Sequence, residues 1–383
     1  MKRIFILFLC VCLPVTTAFS AGNIHVGALE VHPYLSVTQT YDDNVYATSS
    51  DTKSDWITTT MPGIKLQMPF RMHKLEAEYR AVINNYWDYS SENITDHHAA
   101  ILGDFKFGSR FGMRLGDKYD RGHEPRASSG SGQIEKYDRN AANAALSYVF
   151  ADRVKAEVEY TQTYWNFTQP ENAFRDRNEY LIATYLYYRF LPKTSAFVEY
   201  DFKNVIFEQK ALGLDNQVHT PLLGLRWDIT EMTKGIVKAG YLSKNFEAAN
   251  KDTYNTWTAS VELDQAFSRS SLKLIGKRDV NESNAVGTTY YITTGAFAEY
   301  THKLGNKLSA VGRLSYGEDD YSNTNGYELD RVDKTSLFGA GLKYQMRDWL
   351  EFALNYNHLR RDSNIDYRDL TDNTVSLTAN FVM

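Results

Sequence analysis

Cysteine is almost missing from this chain: its 383 residues hold two, Cys10 and Cys12, both within an apolar run from Ile4 to Leu13. Lys2 and Arg3 precede that run, and Ala18 and Ser20 are small residues just before Ala21. This is the pattern of a secretory signal over residues 1–20, which would leave a mature unit of 21–383 as one domain. The mature chain would then carry no cysteine, which excludes a disulfide scaffold. Leu9 and Val11 are too large for a lipobox, so a lipoprotein is excluded as well. Long hydrophobic runs are also lacking. The first run falls short of the roughly 20 residues a spanning helix needs, and no later segment comes nearer. An excess of basic charge is absent: without Lys2 and Arg3 the balance goes from 42 cations against 47 anions to 40 against 47, a net charge of −7. Mild acidity of that size argues against a nucleic-acid partner. Proline is scarce, at 8, and no helical three-to-four apolar spacing persists over three turns.

What the chain does have is alternation. Thr374, Ser376, Thr378 and Asn380 fall on one face of the last segment, and Val375, Leu377, Ala379, Phe381 and Met383 on the other. A strand of this pattern has one wet face and one apolar face. The same grammar recurs at Leu75, Ala77, Tyr79, Ala81 and Ile83 against Glu76, Glu78 and Arg80, and at Val154, Ala156, Val158 and Tyr160 against Lys155, Glu157 and Glu159. It returns at Ala196, Val198, Tyr200 and Phe202 against Glu199, Asp201 and Lys203, and at Leu350, Phe352, Leu354 and Tyr356 against Glu351, Asn355 and Asn357. Aromatics are abundant, 27 Tyr and 20 Phe, yet mean hydropathy is −0.46, so apolar content is dispersed rather than gathered into a core.

Counting such segments predicts about eighteen strands, an even number in the range of single-chain outer-membrane barrels. Short connections are expected near Arg71, Ser109, Asp152, Pro192, Glu231, Arg269, Gly305 and Asp348. Longer polar loops are expected around Asp51, Glu92, Gly130, Glu171, Leu214, Asn250, Asn284, Asn323 and Asp366. This alternation of short and long places both termini on the short-turn, periplasmic side. The fold class expected is therefore all-β: a transmembrane antiparallel up-and-down barrel in the bacterial outer membrane, its outer face against lipid. A soluble sandwich also alternates, but its strands average near six residues, whereas these run to ten or more. Tyr86, Trp87, Tyr164, Trp165, Trp227, Trp257 and Trp349 fall at strand ends, where interfacial girdles form.

Pro33, Tyr34, Leu35, Ser36, Val37, Thr38, Gln39 and Thr40, then Tyr41, Asp42, Asp43 and Asn44, resemble the first strand of the outer-membrane β-barrel porins associated with exopolysaccharide and exosortase loci. Trp56, Pro62, Gly63, Ile64, Leu66 and Met68 continue the likeness into the second strand. The match covers these first fifty or so mature residues. It implies a barrel that helps polysaccharide cross, or be displayed at, the outer membrane; polysaccharide and a periplasmic export protein are then candidate partners. Many outer-membrane proteins end in Phe; this one ends in Met383, and Phe381 is expected to serve as the insertion signal read by the barrel-assembly machinery.

With the polar face inward, the lumen is expected to carry Arg80, Lys106, Arg114, Lys118, Lys155, Arg189, Lys203, Arg226, Lys238, Lys273, Arg313 and Lys343. With them come Glu76, Glu78, Asp104, Glu157, Glu159, Asp201, Glu262, Asp264, Glu299 and Glu351. Such charges either pair across the wall or line a hydrophilic path and set the preferred solute charge. Eighteen strands suffice to enclose an aqueous channel. The stretch from Tyr119 to Tyr137, with Gly122, Pro125, Gly130 and Gly132, reads as a long loop able to fold inward and constrict it.

Catalytic signals are weak. No Gly-x-Ser-x-Gly elbow, HExxH or P-loop occurs. His97 and His98 beside Asp96 read as a loop or its edge, and as strand neighbours they would face opposite ways, which disfavours a shared metal. Gly122, His123 and Glu124, with Asp117 and Asp120 nearby, read as a solvated run. No enzyme, cofactor or metal is expected. The functions left are a conduit for exopolysaccharide or a diffusion porin for hydrophilic solutes, with an outer-membrane enzyme as the alternative from another class.

Overall fold

The computed structural model describes residues 24–126, 134–230, 232–249, 251–283, 287–323 and 331–382. The expected signal segment with Cys10 and Cys12, residues 127–133, Glu231, Asn250, Asn284 and Met383 lie outside the described residues.

The strands in chain order are β1 Ile24–Val26, β2 Leu29–Asp42, β3 Asp55–Phe70, β4 His73–Tyr86, β5 Ile94–Phe107 and β6 Phe111–Glu124. Then come β7 Glu135–Ala151, β8 Val154–Phe167, β9 Arg177–Leu191, β10 Thr194–Phe207, β11 Asn216–Thr230 and β12 Thr233–Phe246. The last are β13 Tyr254–Ala266, β14 Ser270–Glu282, β15 Thr288–Lys303, β16 Leu308–Asn323, β17 Val332–Arg347, β18 Leu350–Ser363 and β19 Leu370–Val382. From β2 onward each strand pairs antiparallel with the next, and β19 pairs with β2 from Thr374↔Asp42 to Val382↔Tyr34, closing an 18-strand barrel. The short β1 turns back through Gly27, whose φ of +66° suits glycine, and pairs Ile24 with Val31. It covers the edge of β2 that β19 leaves bare after Val382, which removes an open ladder of donors and acceptors.

Connections follow the expected rhythm of short turns and longer loops. Two expectations need correction. Tyr119, Gly122, His123 and Glu124 lie on β6 and Tyr137 on β7, so the connection there is only 125–134. His97 and His98 likewise lie on β5. These strands continue beyond the apolar band, where ladder hydrogen bonds rather than a lipid-facing stripe sustain them, so period-two apolarity fades while the strand goes on.

Paired residues of neighbouring strands share a face, so register fixes the facing all round the ring. One face carries exposed apolar residues, including Ile64, Ile101, Leu146, Val158, Leu223 and Leu314. On the opposite face, side chains from strands two apart meet: Tyr34 on β2 donates to Glu78 on β4 at 2.6 Å, and Lys238 on β12 to Glu199 on β10 at 2.6 Å. Side chains converge over a concave surface and splay apart over a convex one, so this face is the lumen. The apolar convex face is the one that lipid must cover.

The wall is not uniform. Pairing between β13 and β14 runs only from Ala266↔Ser271 to Ala259↔Arg278, whereas β14 and β15 stay paired to Glu282↔Tyr290. Above Arg278 β14 parts from β13 and turns into the lumen, carrying the β14–β15 hairpin inward while β15 keeps its pairing with β16 as far as Thr288↔Asn323. By register Glu282 and Tyr290 belong to the outer face, yet Tyr290 packs on the inward rings of Tyr254 (4.4 Å between centroids) and Phe246 (6.3 Å). Beneath it lie Val205, Val218, Leu222 and Leu242, apolar residues that face inward and are buried.

Candidate functional site

The lumenal charges fall into three groups. Near the short turns, Lys155 pairs with Glu157 and sits 5.2 Å over the ring of Tyr187; Arg189 donates to the carbonyl of Asp152; Arg226 lies 3.6 Å from Asp228. At mid-height Arg114 reaches Glu157 at 3.4 Å and Glu159 at 3.7 Å, Arg80 lies 4.0 Å from Glu78, and Arg313 bonds Glu299 at 2.7 Å. Asp201 shares its face with Glu199, the partner of Lys238, and Glu76 takes both Lys65 (3.2 Å) and Lys74 (2.9 Å). The third group is unpaired among the described residues: Lys106 opposite Gly112, Lys118 opposite Ala100, Glu262 opposite Ile275 and Lys343 opposite Ala353. Asp264 stands opposite Lys273, and Asp104 opposite Arg114, without a close ion pair among the described residues. The exposed pairs among them, such as Arg226–Asp228 and Arg80–Glu78, are worth roughly 0–1 kcal/mol each, so they organise the lumen surface more than they hold the barrel.

Toward the loop side the lumen closes down. Glu282, brought inward on β14, accepts from Lys244 at 2.6 Å and Asn216 at 3.2 Å, and lies 4.0 Å from Lys203 on β10. Lys203 is held in turn by Glu179 at 2.9 Å, and Glu179 by Arg177 at 2.7 Å. A cavity of about 290 Å³ remains beside this chain of charges, bounded by Asp201, Lys238, Lys277 and Asp279. On its other side the hairpin presents Tyr291, stacked on Tyr321 and within the electrostatic reach of Glu124, Arg175 and Arg177 across the lumen. Arg175, in the loop before β9, bonds Glu124 at 2.8 Å and Glu135 at 2.5 Å, tying that loop to the ends of β6 and β7.

The constricting element is thus β14–β15, which sequence reading did not single out. Its trace was legible: Val205, Val218, Leu222 and Leu242 break the rule that inward positions are polar. Two aromatics read as girdle residues also turn inward. Trp165 lies between the guanidinium groups of Arg139 (4.9 Å) and Arg177 (5.3 Å), and Tyr86 shares the inner face with Ile57. Strand parity, not distance from the strand end, decides whether an aromatic meets lipid or lumen. Trp87 and Trp257 do stand on the convex face, exposed.

The histidines do not converge. His97 meets Tyr79 at 2.8 Å on the outer face, His98 meets Asp120 at 2.7 Å on the inner one, and His123 meets Asp96 at 2.9 Å. The carboxylates of Asp42, Asp43 and Asp372 come within 4.8 Å of one another at the seam. Two of them already serve as acceptors, Asp42 for the amide of Asn44 and Asp43 for the backbone and side chain of Asn373.

A closed antiparallel barrel with a charged wet interior and an apolar outer band is an outer-membrane porin, in contact with membrane lipid. Comparison with family models agrees, and the chain belongs to the putative beta-barrel porin 2 family, matched over residues 17–382. Among solved structures it is similar to OccAB3 of Acinetobacter baumannii, with 12% identity, a TM-score of 0.51, and 94% of this chain and 100% of that one covered. It is also similar to OccK5 (OpdH) of Pseudomonas aeruginosa, with 10% identity, a TM-score of 0.51, and 92% and 98% covered. At these identities the likeness is one of fold. No curated protein matches the sequence.

Proposed function

We propose that this barrel is a passive diffusion porin for small hydrophilic solutes, not an enzyme. Its path runs past Arg80, Lys106, Arg114, Lys118, Lys155, Arg189, Arg226, Lys238, Arg313 and Lys343 and the acids Glu78, Glu157, Glu159, Asp201, Glu262 and Asp264. The observation that carries this reading is the contact of Glu282 with Lys203 and Lys244. A hairpin turned into the lumen narrows it, which favours small molecules in water over a bulky chain. Interspersed charges of both signs favour polar solutes of either charge over apolar ones.

Export of exopolysaccharide is the second reading, supported by the likeness of residues 33–68 to porins of such loci. In that reading a periplasmic export protein would deliver the polymer. In both readings the barrel-assembly machinery would recognise the last strand through Phe381. The two are separated by reconstituting the purified barrel in liposomes and following entry of a disaccharide and of a neutral polysaccharide. Selective entry of the disaccharide is expected. Equal passage of the polymer would overturn the diffusion reading in favour of export.

A further inference from the structure

The short-turn mouth of the lumen holds a cavity of about 530 Å³ between the ends of β7 to β11. Arg153, Lys155, Arg189, Lys193 and Arg226 line it together with Asp152 and Asp228, and Glu157 stands behind Lys155 as its partner. Its remaining wall includes the Tyr187 ring and the apolar Val149, Val154 and Pro192. Arg153 and Lys193 sit on the two turns, exposed, and make no ion pair among the described residues. Arg226 and Asp228 are each about half exposed at 3.6 Å, a contact that a stronger anion can displace.

We propose that this mouth is a binding site for a small polyanionic solute, one carrying at least two negative charges as phosphate or carboxylate groups. Five cationic groups converge from two turns and the strands β8, β9 and β11 on a concavity the size of a small metabolite. A cleft lined by one sign of charge with low-dielectric walls concentrates counter-ions well above their bulk level. Guanidinium groups at Arg153, Arg189 and Arg226 suit the planar, forked geometry of carboxylate and phosphate oxygens. Five cations against Asp152, Asp228 and Glu157 leave two positive charges, which a singly charged solute answers only in part, so selectivity for higher charge follows. Because the site faces the periplasm, it would load or retain such solutes on that side. Binding stands on this geometry alone; its consequence for flux rests on the diffusion reading above.

The test is calorimetric titration of the detergent-solubilised full barrel with inorganic pyrophosphate, citrate and acetate. Saturable binding of pyrophosphate, citrate or both is expected, with acetate at least tenfold weaker. The two polyanions tell a phosphate site from a carboxylate one. The double variant Arg153→Gln/Lys193→Gln changes only exposed turn residues and should weaken binding at least tenfold, whereas Lys210→Gln, in an exposed loop at the other mouth, should leave it unchanged. No binding of either polyanion, or equal affinity in the double variant, would overturn the site. Because the measurement needs no conduction, loss of the diffusion reading in liposomes would leave this result standing, and the reverse holds too.

Discussion

Glu282 of β14 and Lys244 of β12 form an ion pair at 2.6 Å with side chains only 4% and 1% exposed, although β13 separates their strands. Removing two charges from water costs several kcal/mol per ion, which their attraction only offsets when geometry and hydrogen bonding are good. Asn216 completes that geometry by donating to Glu282 and accepting from Lys244 at 3.0 Å. We therefore assign the pair less to barrel stability than to placement: it specifies one position for a hairpin that could otherwise lie in the wall.

Glu282→Gln should release that placement. Breaking one partner of a buried pair costs about 3–5 kcal/mol locally, and here the cost falls on the hairpin rather than on the ring. Single-channel conductance in planar bilayers should rise, with the barrel still heat-modifiable on gels. Unchanged conductance in a folded variant would mean that the hairpin does not limit the path.

Facing can be read by chemistry. Cysteines at Lys106, Lys118 and Glu262, exposed on the lumenal face, should react with a membrane-impermeant maleimide in native membranes. Those at Ile101, Val158 and Leu223, exposed on the convex face, should be protected by lipid. Equal labelling of the two sets would contradict the register.

Gly63 should not tolerate a side chain. A Cβ there would lie 2.2 Å from the ring of Tyr34, which covers the glycine and donates to Glu78. Gly63→Val should displace the ring, break that bond and cost roughly 1–3 kcal/mol, as overpacking does. The measure is a lower denaturant midpoint on refolding into lipid; a wild-type midpoint would show that the ring gives way freely.

Phe381 stands on the outer face with Trp349 at 6.4 Å between centroids. Phe381→Asp should put a charge into lipid and spoil the terminal signal at once, leaving degraded periplasmic protein. Normal amounts of heat-modifiable outer-membrane barrel from this variant would refute the assignment.

Much of the fold was legible because a barrel is written locally. Each strand needs only period-two alternation, as in Leu75 to Ile83, and each connection only its own polar residues, so strand number and the rhythm of turns can be read without knowing which strands touch. The resembling motif gains a physical reason from contacts: Tyr34 covers Gly63, and Asp43 bonds Asn373 330 positions away to close the seam. The hairpin was not legible in the same way. Whether β14 above Arg278 stays in the wall depends on Glu282 finding Lys244 and Asn216, 38 and 66 residues away. No local pattern encodes that encounter; only the inward apolar surface of Val205, Val218, Leu222 and Leu242 hints that something must cover it. Alternation settles which face of a strand is wet, since water and lipid act on each residue separately. What fills the lumen is decided by tertiary structure, because burying a charge there is tolerable only when a partner from a distant strand arrives to meet it.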